Sequence, residues 1–249
     1  MTYGFIGTGN MGGALARALV REVSPLDVYL NNRTPAKAEA LAAELGALAD
    51  TAAHIAAACD YIFLGVKPNL IAGVLCQLAP TLAQRTDKPV LVSMAAGVTI
   101  AALEQAAPGC PILRIMPNTA CAVGAGLTLY DANALLTKPQ LDAFLADMAA
   151  SGRLEALPEH LIDAGSAVAG CGGAFACLFM EGLADGAVTC GLPRDKANTF
   201  AAQMLLGAAR LALESGKPFG QMKDEICSPG GTAMNAVIAA YEKTLQLKK

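Results

Sequence analysis

The chain has 249 residues, of which 54% are apolar, and its mean hydropathy of +0.44 excludes a disordered polar chain. Lys and Arg total 18 against 21 acidic residues, which gives a formal net charge of −3. The sequence has no basic run beyond Lys248-Lys249, so we expect no nucleic-acid partner. The eight cysteines show no C-x-x-C spacing and are interpreted as small core residues.

The first residues do not form a basic segment followed by an apolar stretch and a cleavage site, so the sequence predicts a cytoplasmic protein. One uncharged segment, 164–180, imitates a membrane span. It is rich in Gly, Ala and Ser and lies at the lower limit of spanning length, which favours a buried, closely packed helix and no membrane partner. His54 and His160 lie in unremarkable contexts, so we expect no metal site.

Short apolar runs alternate with Ala-rich helical stretches in the first part of the chain. This alternation predicts a doubly wound α/β fold with a parallel sheet covered on both faces. We assign residues 1–158 to this dinucleotide-binding domain. The predicted strands are Tyr3–Ile6, Val28–Leu30, Tyr61–Val66, Val90–Met94, Ile112–Ile115 and Leu127–Tyr130, and the helices between them begin near Met11, Pro35, Ala52, Asn69 and Thr99.

From Glu159 onward the pattern changes to helices alone, and the boundary is placed between Leu157 and Asp163. Glycine and proline occur together at three points, as expected where one helix ends and the next begins. Residues 159–249 are therefore predicted to form an all-helical second domain. Its long helices are placed near Gly173–Cys190, Pro193–Ser215 and Thr232–Leu247.

A G-x-G-x-x-G motif follows the first strand and opens the first helix. In this motif the first glycine permits a tight turn, the second lets the backbone approach a pyrophosphate, and the third allows close helix–strand packing. Because it leads a βαβ pattern, it predicts a dinucleotide site. The candidate cofactor-binding residues here are Ile6, Gly7, Thr8, Gly9, Asn10, Met11 and Gly12.

The end of the second strand distinguishes NAD from NADP. An NAD site usually has an acidic residue there, whereas this chain has Asn31-Asn32-Arg33-Thr34. Arg33 can pair with a 2′-phosphate and the two amides can donate to it, so we predict NADP, with Asn32 and Arg33 as cofactor-binding residues. The same residues also suit an exposed turn in which Thr34 caps a helix that Pro35 opens.

Two further strands end where ligands bind in open α/β folds. One ends in Val66-Lys67-Pro68 and the other in Met94-Ala95-Ala96, where small residues would let a flat ring lie against the backbone. All six are candidate cofactor-binding residues. Lys67 is either a solvated residue at a helix start or a catalytic group, and we retain it as a catalytic candidate.

Six motifs together resemble pyrroline-5-carboxylate reductases in order and approximate spacing over essentially the whole chain. They are Gly7–Gly12, Val66–Pro68, Ser93–Val98, Arg114–Ala120, Gly191–Arg194 and Ser228–Thr232. The resemblance implies a Rossmann domain, a helical domain that interlocks with a second subunit in a homodimer or higher oligomer, and hydride transfer from NADPH to a cyclic imine. It also implies an active site completed across the dimer, where the loop 228–232 meets the nicotinamide.

The resemblance also implies the substrate site. It gives Asn118, Gly230, Gly231, Thr232 and Ala233 as substrate-binding residues, with Thr232 as a catalytic candidate. Backbone N–H groups of a Gly-Gly pair at a helix start can hold the carboxylate of a small imino acid without an arginine.

Two substrate motifs depart from the family. The usual S-G-S-G-P-A-Y reads here A-G-C-G-G-A-F over residues 169–175, and the second threonine of S-P-G-G-x-T, which the resemblance makes the donor to the ring nitrogen, is Ala233. Either Thr232 or a water takes over, or the pocket serves another cyclic imine. A non-catalytic NADP-binding sensor is a further alternative. A β-hydroxyacid dehydrogenase is disfavoured because its lysine motif is not evident near residue 170.

Overall fold

The computed structural model describes residues 1–227, and it places eight strands in one sheet. The strands lie in the order β3-β2-β1-β4-β5-β6-β7-β8. In chain order they are β1 (Tyr3–Ile6), β2 (Val28–Asn31), β3 (Leu48–Ala49), β4 (Tyr61–Leu64), β5 (Val90–Ser93), β6 (Ile112–Met116), β7 (Gly126–Ala132) and β8 (Gly152–Ala156). The order reverses between β1 and β4, which is the switch point where doubly wound sheets bind ligands.

Helices cover both faces of the sheet, as the alternating pattern predicted. They are α1 (Asn10–Leu19), α2 (Pro35–Leu45), α3 (Ala52–Ala58), α4 (Ile71–Gln84), α5 (Ile100–Ala106), α6 (Lys138–Asp147) and α7 (Glu159–Ala169). One buried cluster packs around Phe5, Phe63 and Phe144, and a second around Ile62, Leu75 and Leu103 on the other face. Because β1 and β4 are buried on both sides, their sequences are apolar without alternation.

The strand β7 corrects the prediction of a wholly parallel sheet, since it runs antiparallel to β6. The two strands are joined by residues 117–125, which include a 3-10 helix at Thr119–Val123. A parallel connection needs a crossover of about a dozen residues or more, so this short link can only reverse the chain. The helix α6 then provides such a crossover, and β8 returns parallel to β7.

Two strands and one helix were missed in the sequence. The strand β3 is only two residues long, Leu48-Ala49, and β8 contains Arg153 and Glu155, so neither carries an apolar run of strand length. The helix α6 had a local signal, because Thr137 and Gln140 form a capping box at its start.

Contacts divide the chain into two compact units, Met1–Gly173 and a second that begins at Ala174. The helix α7 belongs by contacts to the first unit, where Ile162 is fully buried against Leu129 of β7. The domain boundary after residue 158 stays a prediction.

Three more helices follow in the described part of the chain. They are α8 (Gly172–Thr189), α9 (Arg194–Ser215) and α10 (Phe219–Ile226). As the glycine–proline pairs predicted, Gly216 ends α9 in the left-handed conformation, and Pro193 and Pro218 precede the first residues of α9 and α10. The helix predicted near Thr232–Leu247 lies outside the described residues.

Candidate cofactor and substrate site

The backbone of Gly7 meets the backbone of Gly65 at the switch point. Gly7 has a φ of 105°, and a Cβ atom there would lie 2.5 Å from the carbonyl oxygen of Gly65. A Cβ atom on Gly65 would lie 2.3 Å from the carbonyl oxygen of Gly7. Both positions therefore require glycine, and the contact brings the loop after β1 against the end of β4.

The other two glycines of the motif differ in their surroundings. A Cβ atom on Gly12 would lie 2.2 Å from the carbonyl oxygen of Gly7, so Gly12 allows α1 to pack closely on the loop. Gly9 has no atom within 4 Å of such a position and leaves open space above the loop. No side chain caps the start of α1, and the first N–H groups of the helix face that space without intrahelical partners. This arrangement suits a pyrophosphate group.

The hydroxyl of Thr8 gives an independent indication that the loop takes a polar ligand. Its Oγ1 atom is buried and has no hydrogen-bond partner among the described residues. A buried hydroxyl without a partner carries a free-energy cost that a bound polar group removes. Thr8 also lines a cleft of about 430 Å³ together with Gly9, Asn10 and Asn32. The residues after β1 therefore fit the phosphate-bearing part of a dinucleotide.

The residues after β2 follow the predicted turn only in part. Pro35 opens α2, but the Thr34 side chain makes no capping hydrogen bond, so the predicted cap is wrong. The Asn31 amide donates to the carbonyl oxygen of Asp50 at 2.8 Å and so helps hold the end of β3. Asn32 donates to the carbonyl oxygen of Thr34 at 3.3 Å, and Arg33 is exposed. Asn32 lines the cleft, and Arg33 follows it on the exposed turn after β2, so both stay phosphate candidates.

The sequence interpretation missed three charged residues that line the same cleft. They are Arg17 of α1 and Lys37 and Glu44 of α2. Arg17 donates to both carboxylate oxygens of Glu44, each at 2.8 Å. Lys and Arg on exposed helix faces are ordinary in sequence, and only the packing of α1 beside α2 brings these three together.

The candidate residues after β4 and β5 reach the same edge of the sheet. The side chain of Met94 lies near Gly65, since a Cβ atom on Gly65 would be 3.6 Å from the Met94 sulfur. Ala95 is buried, whereas Ala96 is exposed. Lys67 precedes a 3-10 helix that Pro68 opens, and its exposed side chain has no hydrogen-bond partner within residues 1–227. Lys67 is thus a solvated residue at a helix start in the single chain, and its catalytic role stays a prediction.

Asn118, in the Arg114–Ala120 motif, links that motif to the altered segment that begins at Ala169. Its amide nitrogen donates to the carbonyl oxygen of Ala169 at 3.0 Å, and its amide oxygen accepts from the Leu127 N–H at 3.4 Å. The end of α7, where the altered A-G-C-G-G-A-F segment begins, is therefore held beside the loop after β6. These bonds give Asn118 a positioning role, and its predicted contact with substrate stays a prediction.

A buried arginine paired with two more exposed carboxylates holds α7 to the sheet. Arg114 of β6 is 2% exposed and donates to Glu159 at 3.0 Å and to Asp163 at 2.9 Å. The same Glu159 oxygen accepts from the N–H of Ile100 at the start of α5, at 2.6 Å. The charges of Arg114 and its partners therefore tie together β6, α5 and α7.

The candidates Gly230, Gly231, Thr232 and Ala233 lie outside the described residues. Within residues 1–227, no group of three or more His, Cys, Asp or Glu side chains is placed to hold a metal ion. The interpretation of all cysteines as core residues is wrong. Cys59, Cys110 and Cys121 are buried, but those at 76, 171, 177 and 190 are exposed.

The second unit exposes much of its apolar surface. In α8 only Ala184 is buried, whereas Phe175, Leu178 and Phe179 are 66%, 64% and 54% exposed. The prediction of a buried helix is therefore wrong for the single chain. The stretch Glu159–Thr189 is also long and apolar enough to cross a membrane by length and composition, which is weak evidence taken alone. Such a surface normally marks an interface.

Comparisons with known proteins match both parts of the chain. Residues 159–247 match the family described as pyrroline-5-carboxylate reductase dimerisation, and residues 2–97 match NADP oxidoreductase coenzyme F420-dependent. The pyrroline-5-carboxylate reductase of Escherichia coli (strain K12) is 38% identical over 244 residues, covering 96% of this chain and 90% of that protein. That of Methanosarcina acetivorans is 35% identical over 266 residues, covering 99% and 97%.

Solved structures agree with these relatives. A pyrroline-5-carboxylate reductase from Coxiella burnetii has a TM-score of 0.84 and 30% identity, covering 98% of this chain and 92% of that one. The Plasmodium falciparum pyrroline carboxylate reductase, solved with NADP bound, has a TM-score of 0.83 and 26% identity, covering 100% and 92%. The chain is an NADP-dependent oxidoreductase with a family dimerisation domain, and it belongs to the pyrroline-5-carboxylate reductase family.

Proposed function

We propose that this chain reduces 1-pyrroline-5-carboxylate to L-proline with NADPH, in proline biosynthesis, as a homodimer in the cytoplasm. The observation that carries the proposal is the switch point, where Gly7, Gly12 and Gly65 pack backbone against backbone beneath an uncapped helix start. This geometry fits a dinucleotide, and relatives similar in sequence along nearly the whole chain are named pyrroline-5-carboxylate reductases. We expect no nucleic-acid or membrane partner.

When bound, the cofactor supplies the hydride that adds to the imine carbon. The imine also takes up one proton at nitrogen, so the balanced products are the ring amine and the oxidised cofactor. A protonated imine accepts hydride more readily than a neutral one, so the protein has to keep a proton donor near the ring nitrogen and exclude water.

The residues proposed for these tasks lie on two parts of the chain. Val66, Pro68, Met94, Ala95 and Ala96 lie at the ends of β4 and β5, and we propose that they hold the nicotinamide end of the cofactor. The backbone N–H groups of Gly230 and Gly231 would bind the substrate carboxylate, and Thr232 would donate to the ring nitrogen. Lys67, which follows β4 at the edge where the nicotinamide end is proposed to lie, would be a catalytic cation.

Steady-state oxidation of NADPH, with NADH in parallel, tests the proposal. Purified protein should turn over with 1-pyrroline-5-carboxylate, form L-proline and favour NADPH. Turnover of a six-membered cyclic imine or a ring without a carboxylate, but not of 1-pyrroline-5-carboxylate, would replace the substrate. Cofactor binding without turnover of any imine would indicate a sensor.

The altered residues favour a second candidate, a reductase of another cyclic imine. Residues 169–175 have lost two hydroxyls, a proline and a phenol, and Ala233 has lost a hydroxyl. Ala233→Thr distinguishes the two accounts. If the pocket is an impaired site for 1-pyrroline-5-carboxylate, the variant should raise kcat by about 3- to 10-fold, the effect of one well-placed hydrogen bond. No gain, or a loss, would indicate a repurposed pocket.

A further inference from the structure

The cleft between α1 and α2 contains a cation that no part of the reaction above uses. Arg17 lies one helical turn after Gly13, and a Cβ atom on Gly13 would be 3.1 Å from Arg17 Nη1. The guanidinium therefore folds back along α1 toward the first turn, as side chains on a helix do. This position places it beside the loop that suits the cofactor phosphates.

The contacts of Arg17 leave one edge of its guanidinium free. Glu44 accepts from Nε and Nη2, whereas Nη1 makes no hydrogen bond within the described residues. The hydrogen bond from Arg17 lowers the pKa of Glu44, so both side chains are charged at neutral pH. Arginine can thus hold a carboxylate on one edge and a phosphate oxygen on another.

The charge balance of the cleft favours a phosphate. Arg17 and Lys37 contribute two positive charges and Glu44 one negative charge, and Lys37 has no partner among residues 1–227. A phosphate monoester carries a charge of about −1.5 to −2 near neutral pH. The walls also contain Asn10 and Asn32, so the cleft offers amide donors beside the cations.

A purely structural role for the Arg17–Glu44 ion pair explains the composition of the cleft less well. An exposed ion pair contributes little to stability, because solvent screens the charges and ordering two long side chains costs entropy. The Arg17 and Glu44 side chains are 39% and 51% exposed, so linking α1 to α2 is a weak reason for this pair. It also leaves unexplained why the partner-free Lys37 lies in the same cleft.

We propose that Arg17 and Lys37 bind the 2′-phosphate of NADP in this cleft, and that Glu44 limits the affinity by competing with the phosphate for Arg17. Arg33 then supplements these two cations from the exposed end of β2. The preference for NADP is set mainly by residues of α1 and α2. It does not depend on which imine is reduced.

Direct binding of 2′,5′-ADP and 5′-AMP to the whole protein tests this without catalysis. Isothermal titration should show Arg17→Ala weakening 2′,5′-ADP by about 10-fold, with 5′-AMP unchanged. Arg17→Lys keeps the charge without the forked geometry of the guanidinium, so its affinity for 2′,5′-ADP should lie between those of the wild type and Arg17→Ala. Lys37→Ala should also weaken 2′,5′-ADP alone.

Glu44→Gln should have the opposite effect. It removes the carboxylate that competes for Arg17, so 2′,5′-ADP should bind about 3-fold more tightly. The pair Arg17→Ala and Glu44→Gln should bind better than Arg17→Ala alone, because it removes an unpaired carboxylate that repels the phosphate. The control Arg153→Ala removes an arginine from an exposed pair on β8, where it bonds Glu155 at 2.8 Å, and should change neither affinity.

Equal effects of Arg17→Ala on the two nucleotides, or no effect, would overturn the role of Arg17. Unchanged or weaker 2′,5′-ADP binding in Glu44→Gln would overturn the competition. The melting temperature of each variant without nucleotide, compared with that of Arg153→Ala, shows whether a loss of nucleotide affinity comes from unfolding. Failure to reduce 1-pyrroline-5-carboxylate would leave these affinities as they are, so the two proposals fail separately.

Discussion

The two units of the chain differ in where they bury their apolar side chains. Residues up to Gly173 carry three buried clusters, two of them large and on opposite faces of the sheet, with Phe5 stacked on Phe63 at 4.3 Å between ring centroids. In the described part of the second unit, residues 174–227, the buried cluster consists of three alanines, at 184, 197 and 201, while large side chains such as Phe200 are exposed. The first unit therefore contains its own core, and the second has the surface of a subunit that needs a partner.

The largest effect is expected from removing the buried Arg114 of the first unit. Arg114→Ala removes a large buried side chain and leaves the partly exposed Glu159 without its charged partner, so it should lower the free energy of unfolding by about 2–4 kcal/mol. Denaturant unfolding followed by far-UV circular dichroism measures this. The exposed-pair variant Arg153→Ala should cost no more than about 1 kcal/mol, and equal losses in the two variants would contradict a self-contained core.

Two glycine variants separate packing from binding within the glycine motif. Gly12→Ala forces a Cβ atom to 2.2 Å from a backbone oxygen and should cost about 2–4 kcal/mol of stability. Gly9→Ala meets open space and should leave the melting temperature unchanged while it weakens NADPH binding, since the backbone no longer allows close approach. Thermal melting and titration with NADPH check both variants. Similar melting losses in the two would show that Gly9 is a packing residue as well.

A charge on α8 tests the other side of the comparison. Leu178→Glu places a carboxylate on the exposed apolar surface and should weaken dimer association by about 2–4 kcal/mol, provided that this surface forms the interface. Sedimentation velocity over a concentration series measures the dissociation constant. Leu26→Glu is the control, because Leu26 is 65% exposed in the first unit and should not change association. An unchanged dimer in Leu178→Glu would place the interface elsewhere.

The smallest effects concern the cysteines. Burial raises the pKa of Cys59 to about 12 from an ordinary value of 9.0, so its thiol stays protonated and unreactive at moderately alkaline pH. The stability that follows from this shift is complete below pH 9 and is lost as the pH rises toward 12. At pH 8.5, alkylation and mass spectrometry should find Cys76 labelled in the native protein and Cys59 only after unfolding. Labelling of native Cys59 at the rate of Cys76 would contradict its burial.

The glycine motif and the central strands could be predicted because each depends on local sequence. The strands β1 and β4 are apolar at every position, and the steric need for Gly7 and Gly12 is the same in any strand–turn–helix of this kind. The reversal at β7 was missed because it depends on the length of a connection, and residues 117–125 are too few for a parallel crossover.

The cleft and the exposed helices could not be predicted for a different reason. Arg17, Lys37 and Glu44 are ordinary surface residues until α1 and α2 pack side by side. The apolar pattern of α8 is the same whether a helix is covered by its own chain or by a second copy, so the sequence predicted burial without showing what provides it.

The most direct test of the whole account compares nucleotide binding with imine reduction as the dimer dissociates. The account predicts that monomeric Leu178→Glu binds 2′,5′-ADP like the wild type, because residues of the first unit hold the nucleotide, but oxidises NADPH with 1-pyrroline-5-carboxylate at a small fraction of the dimer rate. Full imine reduction by the monomer would contradict a substrate site that two subunits complete. Loss of nucleotide binding would contradict a self-contained first unit.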